Sequence, residues 1–463
     1  MKTDNTASYK KGEMITVDIT DFGENGEGIG KTDAFTWFIK DTVIGDKVKA
    51  KVMKTKKNYG YARLESIIKE SPDRIEAKCP VARSCGGCTL QSLDYKAELR
   101  LKQNKVENHL KRIGGFDLSS VEIEEIIGME DPIRYRNKSQ FPFGRKNGKN
   151  ITGYFAGRTH SIVEFDDCII GIKENKTVLQ TVLDFMEKYS VDAYNEEDGS
   201  GIVRHVLIRK GFATGELMVC IVINANNLPH SDKLVESLRS ALGSDLKSVS
   251  ININKKNTNV ILGERTVTLY GNGYIEDYIG DVKFRISPQS FYQVNPVQTK
   301  KLYSKALEYA ALTGKETVWD MYCGIGTISL FLAKSAKFVY GVEIVDAAIQ
   351  NAIENAKINN IENVKFFVGK AEEIITGEYE NGNVRDIDVI VVDPPRKGLD
   401  KLAIDTMLKL LPKRIVYVSC DSSTLARDLK LLCEKEYELK KLTVVDQFSR
   451  SYHTESVVVM EKY

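Results

Sequence analysis

The feature that most constrains this chain is a repeated order of apolar strand, loop and helical segment beginning near residue 285. The stretches "ETVWDMYCGIGTISLFLAKSA", "FVYGVEIVDAAIQNAIENAKINN", "VKFFVGKAEEI", "DVIVVDPPRKGL" and "RIVYVSC" each open with a strand-like run and pass into a loop, often followed by a helix. Regular alternation of this kind predicts an α/β region with an open, doubly wound, Rossmann-like sheet. Such sheets bind ligands at the carboxyl ends of their strands, and the chemically unusual loops of this chain all fall there.

Three of those loops carry a cofactor reading. "DMYCGIG" follows a strand and opens a helix, so Gly324 and Gly326 let the backbone pass close to a ligand. The next strand ends in Glu343, placed to hydrogen-bond the two hydroxyls of a ribose. "VVDPPRKG" closes the fourth strand with Asp393 and two prolines, a rigid loop that offers an acceptor and backbone groups to a flat ring. The Gly-x-Gly lacks the third glycine of the dinucleotide fingerprint, and the Asp-Pro-Pro loop favours methyl transfer from S-adenosylmethionine over nicotinamide chemistry.

The fifth strand ends in Cys420, and the following "DSST" begins a helix whose N-terminal dipoles are expected to lower the thiol pKa. Oxygen and nitrogen need no thiolate to accept a methyl group, but C5 of a uracil does. Attack at C6 makes an enolate that pushes electron density onto C5. The C5 proton must then leave to a base, and "FSRSYHTESVVVM" supplies Glu455 at the start of an apolar strand, with His453 two residues earlier. A nitrogen-directed methyltransferase using the same Asp-Pro-Pro loop is the competing chemistry.

Upstream, "KCPVARSCGGC" aims Cys79, Cys85 and Cys88 at one point, with Cys168 in "EFDDCIIG" as the fourth ligand of an iron–sulfur cluster or a zinc ion. Cys220 in "LMVCIVIN" and Cys433 in "LKLLCEKE" read as buried core. Residues from about 10 to 70 read as short strands around the turn "GENGEGIG", a small β-barrel. Between Lys47 and Arg63 lie six lysines and one arginine without an acid, together with Tyr59 and Tyr61, a pattern suited to single-stranded RNA. "IRYRNKSQFPFGRKNGKN" repeats the mixture with Arg134, Arg136, Lys138, Arg145, Lys146 and Lys149 among Tyr135, Phe141 and Phe143. The net charge is only +2, so an acidic partner must be recognised by such local patches. No run of 18 apolar residues and no signal-like N-terminus occurs, so the chain is expected to be cytoplasmic and to have no membrane partner.

Taken together, "CPVARSCGGC" with Cys168, "FYQVN" at 291–295, "DMYCGIG", "GVEI", "DPPRKG", "SCDSSTLARDL" and "HTES" resemble the RNA uracil-5-methyltransferase family. The resemblance is strongest to the 23S ribosomal RNA branch, which carries an N-terminal TRAM barrel and a 4Fe-4S cluster. It implies an OB-like TRAM barrel at 8–70 that binds RNA, a mixed α/β central domain at 71–284 with the cluster, and a methyltransferase domain at 285–463. It further implies Cys420 as nucleophile, Glu455 as base, and Gln293, Tyr322, Glu343 and Asp393 around the cofactor and uracil. Cys79, Cys85, Cys88 and Cys168 would hold the cluster, structured RNA would be the partner, and no obligate protein partner is evident. Transfer RNA is the second substrate reading, and a non-catalytic RNA-binding assembly protein the third. The family has Asn-Pro where this chain has Asp421-Ser422, which sets a negative charge beside the thiol. It has Phe-Pro where this chain has Phe448-Ser449, which removes a rigid bond before Glu455.

Overall fold

The computed structural model describes residues 9–33, 35–384 and 386–463. The chain forms two compact units. One comprises the residues up to Leu101 with Tyr154–Val163 and Phe448–Tyr452, and the other comprises Lys102–Gly153, Glu164–Gln447 and His453–Tyr463.

In the first unit, strands β1 (Met14–Phe22), β2 (Gly28–Thr32), β3 (Phe35–Ile39), β4 (Lys47–Thr55) and β5 (Tyr59–Lys69) close into a barrel in the order β1-β2-β3-β5-β4. The closure follows from period-two alternation: Ile15, Val17, Ile19, Trp37, Ile39, Val48, Ala50 and Val52 point inward and pack together. Gly30 permits the tight pairing of β1 with β2, because a Cβ there would stand 2.3 Å from the Asp18 carbonyl oxygen. The barrel's exit is fixed by Asp46, buried, whose carboxylate accepts from the amides of Val43 and Ser71 and pairs with Arg74 at 2.5 Å.

Helix α1 (Tyr95–His109) leads into the second unit. Along the chain β6 (Glu122–Ile123), β7 (Lys138–Lys146), β8 (Lys149–Phe155), β9 (Ile162–Glu164), α2 (Glu174–Lys188), β10 (Val203–Lys210), β11 (Leu217–Ile223), α3 (Ser231–Leu242), β12 (Leu246–Ile253) and β13 (Arg265–Gly271) follow. All of these strands except β6 form a seven-stranded mixed sheet in the order β13-β12-β11-β10-β7-β8-β9. A hairpin of β14 (Ile275–Ile279) and β15 (Val282–Ile286) comes next.

The remainder is α4 (Pro296–Ala310), β16 (Thr317–Asp320), α5 (Thr327–Ala333), β17 (Phe338–Glu343), α6 (Asp346–Ile358), β18 (Val364–Val368), α7 (Ala371–Glu380), β19 (Val389–Val392), α8 (Lys401–Leu410), β20 (Arg414–Ser419), α9 (Ser422–Leu432), β21 (Tyr437–Val445) and β22 (Glu455–Lys462). The eight-stranded sheet runs β18-β17-β16-β19-β20-β22-β21-β6, parallel from β18 to β20, with β22 antiparallel to both its neighbours. Its strands are apolar on both faces because both are covered: Trp319, Ile390, Ile415 and Tyr417 pack in one core, Val318, Val389, Val391 and Val416 in the other. Strand order reverses between β16 and β19, the switch point at which an open sheet leaves a crevice. The α/β architecture, the doubly wound C-terminal sheet and the N-terminal barrel therefore match the expectation from sequence. Among the described residues no helix is long and apolar enough to cross a membrane.

One buried ion pair anchors α1 within the second unit. Lys102 Nζ lies 2.6 Å from Asp446 at the end of β21, and both side chains are fully buried. The Asp446 amide in turn donates to the Ile127 carbonyl. Lys102→Ala alone should cost about 3–5 kcal/mol in urea unfolding, because it takes the cation away from a buried carboxylate, whereas Lys102→Met combined with Asp446→Leu should recover most of that loss.

Candidate active site

Asp320 ends β16 and organises the glycine loop after it. Its carboxylate accepts from the Ser329 hydroxyl at 2.6 Å and from the Tyr322 amide at 3.3 Å. Gly324 has φ 54° with no atom within 4 Å of where a Cβ would sit, while Gly326 has φ 83° and caps α5. Glu343 closes β17 and accepts from the Val345 amide at 3.0 Å. Tyr322 lies half-buried against the core on the α7–α9 side of the sheet, its phenol pKa raised by burial and then by Asp400, Glu372 and Asp428.

The Asp393 loop is rigid for reasons beyond its prolines. The Thr424 hydroxyl donates to the Arg396 carbonyl at 3.2 Å, and Arg427 donates to the carbonyls of Lys397 and Leu399 at 2.9 and 3.2 Å. Asp428 accepts from the Leu399 amide and the Tyr417 hydroxyl, both at 2.8 Å. Helix α9 thus clamps the loop along its length.

Cys420 and Glu455 are brought together at the end of one strand pair. Strands β20 and β22 pair antiparallel with Ser419 opposite Ser456, and Cys420 follows the end of β20 where Glu455 opens β22, near enough for the carboxylate to raise the thiol. Glu455 itself pairs with Val445 of β21. Glu455 is 3% exposed, and burial, then the charge of Asp393, holds its carboxyl well above the usual range, with Arg396 opposing. Asp393 is pushed up to about 7 by burial and by Asp320, and Asp320 to about 6 chiefly by burial. No hydrogen bond from the protein contributes to the shift of Asp393 or Glu455.

Two expectations about the thiol need correcting. Cys420 is pushed up to about 12, first by burial and then by Glu455 and Asp393, with Arg396 opposing, rather than lowered by the helix dipole. The N-terminal amides of α9 are already occupied, since the Asp421 carboxylate accepts from the amides of Ser423 and Thr424 at 2.9 and 3.1 Å. Burial alone would raise Asp421, but these cap bonds hold it below the ordinary carboxylate range. His453 is kept neutral by burial and by the nearby charges of Arg396, Lys105 and Lys102, with Asp421 opposing.

Gln293 lies on the loop before α4, which Asn137 grips: its side chain donates to the Gln293 carbonyl at 3.0 Å and its amide to the Val294 carbonyl at 2.8 Å. Asn295 caps α4 and bonds the Gln447 carbonyl at 3.2 Å. Sequence reading missed two members of the site. Tyr303, buried on α4, donates to the Thr327 hydroxyl at 3.1 Å and is raised by burial and by Asp393, Asp320 and Glu455, so it stands among all three carboxylates. Arg396 supplies the positive charge felt by Cys420, Glu455 and His453. Tyr303 reads only as part of a helical apolar stripe, and Arg396 as a solvated loop residue, so neither gave a local signal.

Cys79, Cys85 and Cys88 lie in the first unit and Cys168 in the second, all half-buried. The Gly87 amide donates to Cys85 Sγ at 3.4 Å, and the Cys168 carbonyl accepts from Arg134 at 2.8 Å. Among the described residues no group of three or more His, Cys, Asp or Glu side chains is arranged to hold a metal ion. Cys220 is fully buried, as expected of a core residue, while Cys433 is half-buried against the core. On the barrel, Phe38, Tyr59 and Tyr61 form an outward cluster with ring centroids 5.6–6.0 Å apart, and Lys54 of β4 stands opposite Tyr61.

The sequence profile of the tRNA (uracil-5-)-methyltransferase family matches residues 95–463. The chain belongs to that family. A TRAM domain profile matches residues 9–64 of the methyltransferase, the barrel just described. An uncharacterized RNA methyltransferase of Clostridium acetobutylicum is 49% identical to it over 453 residues, covering 98% of both chains. One from Halalkalibacterium halodurans is 48% identical over 455 residues, again covering 98% of each. The crystal structure of Pyrococcus abyssi tRNA (uracil-54, C5)-methyltransferase in complex with S-adenosyl-L-homocysteine superposes with a TM-score of 0.77 at 27% identity, covering 96% of this chain and 100% of that one. The protein is an RNA methyltransferase that uses S-adenosylmethionine.

Burial raises the thiol first and the two carboxylates add to it, so removing one charge should bring it part of the way down. Asp393→Asn and Glu455→Gln should each lower the Cys420 pKa and speed its alkylation by iodoacetamide at mildly alkaline pH, with the rate rising roughly tenfold for every pH unit by which the thiol's midpoint falls. Mass spectrometry of the Cys420 peptide across a pH series reads this out.

Proposed function

We propose that this methyltransferase modifies C5 of a uridine in 23S ribosomal RNA through a covalent bond between Cys420 and C6 of the base. The observation that carries the chemistry is that Cys420, at the end of β20, lies close enough to Glu455 and Asp393 for both carboxylates to raise its thiol. The target uridine would be flipped out of the RNA to reach it. The substrate assignment rests on the motif combination of barrel and cysteine loop. An RNA-directed enzyme of this kind would work in the cytoplasm.

S-adenosylmethionine supplies the methyl group when bound. Gly324 and Gly326 would let its backbone-facing side approach, Glu343 would hold its ribose, and Gln293, Tyr322 and Asp393 would line the remaining space. The open position at Gly324 and a carboxylate at Asp393 with no hydrogen bond from the protein fit a cationic ligand.

Cys420 gives up its proton to water and its sulfur forms the bond to C6, while the C5–C6 electron pair moves toward the C4 oxygen as an enolate. Returning density lets C5 take the methyl group. Glu455 then removes the C5 proton, the ring electrons re-form the double bond, and the sulfur leaves with its pair. The raised pKa of Glu455 makes it a stronger base than an exposed carboxylate, and once protonated it no longer repels the departing thiolate. Arg396 would offset the charge while the thiolate exists.

We also propose that Cys79, Cys85, Cys88 and Cys168 hold a 4Fe-4S cluster. The support is the soft donor set, the close spacing of three of the cysteines, and an amide directed at Cys85 Sγ. Purified anaerobically, the protein should carry about four iron and four sulfide per chain, and Cys85→Ser should lose most of both.

A transfer RNA substrate is the second reading, favoured by the structural likeness to the Pyrococcus abyssi enzyme. Transcripts of either RNA labelled with tritium at uracil C5 separate the two. Tritium should be released to water from the ribosomal transcript. Cys420→Ala should abolish release by roughly 1000-fold or more, whereas a nitrogen-directed methyltransferase would tolerate that change. Glu455→Gln should instead accumulate a methylated protein–RNA adduct that survives denaturation.

A further inference from the structure

The basic stretch from Arg134 to Lys149 divides into paired and unpaired cations. Arg134 is taken up by Asp167 at 2.7 Å, Arg145 by Asp192 at 2.9 Å, and Lys146 by Glu164 at 2.8 Å. Arg136 and Lys138 have no such partner among the described residues. Their position makes this costly. Strands β7 and β10 pair with Lys138 directly opposite Arg209, and residues so paired share one face of the sheet, where like charges destabilise.

Arg209 is 3% exposed and donates to the carbonyls of Pro288 and Ser290, but its Nε has no partner. Arg136 lies two residues before Lys138, across the bend at Asn137 and close enough for its charge to act on the Lys138 ammonium. The half-buried Lys138 ammonium is brought down to about 8 by burial, then by the charges of Arg209 and Arg136, so the three cations feel one another. A sheet that keeps three cations together with no acid between them is built to receive an anion from outside.

Its surroundings say which. Asn137, between Arg136 and Lys138, holds the carbonyls of Gln293 and Val294, while Arg209 holds Pro288 and Ser290. The cations therefore border the loop that carries Gln293 toward α4. We propose that Arg136 and Lys138, backed by Arg209, bind a backbone phosphodiester of the RNA substrate next to the target uridine, as positioning residues. This rests on the enzyme acting on RNA, and not on the particular uridine or on C5 chemistry.

The test uses Cys420→Ala as parent, so that no covalent product forms, and the ribosomal transcript as ligand over a salt series. Lys138→Met and Arg136→Gln should each weaken binding roughly tenfold and flatten the salt slope by about one counterion, while Lys138→Arg should retain both. Without RNA, Lys138→Met should melt higher than its parent, because a like-charge contact is gone. In the Cys420 enzyme the same variant should raise KM for tritium release and leave kcat unchanged. Unchanged affinity and slope in both Lys138→Met and Arg136→Gln would overturn the proposal. So would stabilisation of the parent by inorganic phosphate that Lys138→Met abolishes with the RNA slope intact, which would point to a free-anion site. Loss of the C5 reading would show separately, as no tritium release from the unsubstituted enzyme.

Discussion

Asp320 and Glu455 are buried, Asp393 is half-buried, and Asp320 acts on Asp393 and Asp393 on Glu455, so each added negative charge is disfavoured. Burial raises each, and the neighbours add to it. That constraint governs the chemistry around Cys420. A thiolate formed beside ionised carboxylates is disfavoured, so the thiol rests neutral and harmless. The reaction proposed here moves one negative charge through the pocket, from sulfur to the uracil oxygen and back, and removes the carboxylate's charge at the moment sulfur needs to leave. A site with freely solvated carboxylates would hold more charge and couple these steps less.

The carboxylates can be held so close because the loops that carry them do not move independently. Asp320 is locked by Ser329 and the Tyr322 amide. The Asp393 loop is fastened to α9 by Thr424, Arg427 and Asp428. Glu455 sits between two strands. Parallel strands that end at one level deliver the groups, and the helices behind them fix the side chains.

The doubly wound sheet was legible because its strands are apolar on both faces and their loops carry glycine, proline and acids at the strand ends. The barrel was legible from alternation alone. The meeting of Cys420 with Glu455 could be suspected from chemistry, but its cause, an antiparallel pairing of strands separated by α9 and β21, has no local signature. Tyr303 was illegible for the same reason, since an i, i+3, i+4 stripe does not show which tip reaches the pocket. The state of Cys420 was misread because free amides at the start of α9 can be counted from sequence, whereas the side chain that caps them shows only in the fold.

Asp421 shows why the cap decides the outcome. An acidic residue after the nucleophile looks like a defect when only charge is counted. In the fold it takes the amides of Ser423 and Thr424, which leaves Ser422 free to meet His109, Oγ to Nδ1 at 2.9 Å, and seats the helix that clamps the Asp393 loop. An Asn at the same place could cap equally well. The substitution therefore preserves the mechanical role of the position. What raises the thiol is first its burial and then the pair of carboxylates, Glu455 and Asp393, which the proposed chemistry itself requires.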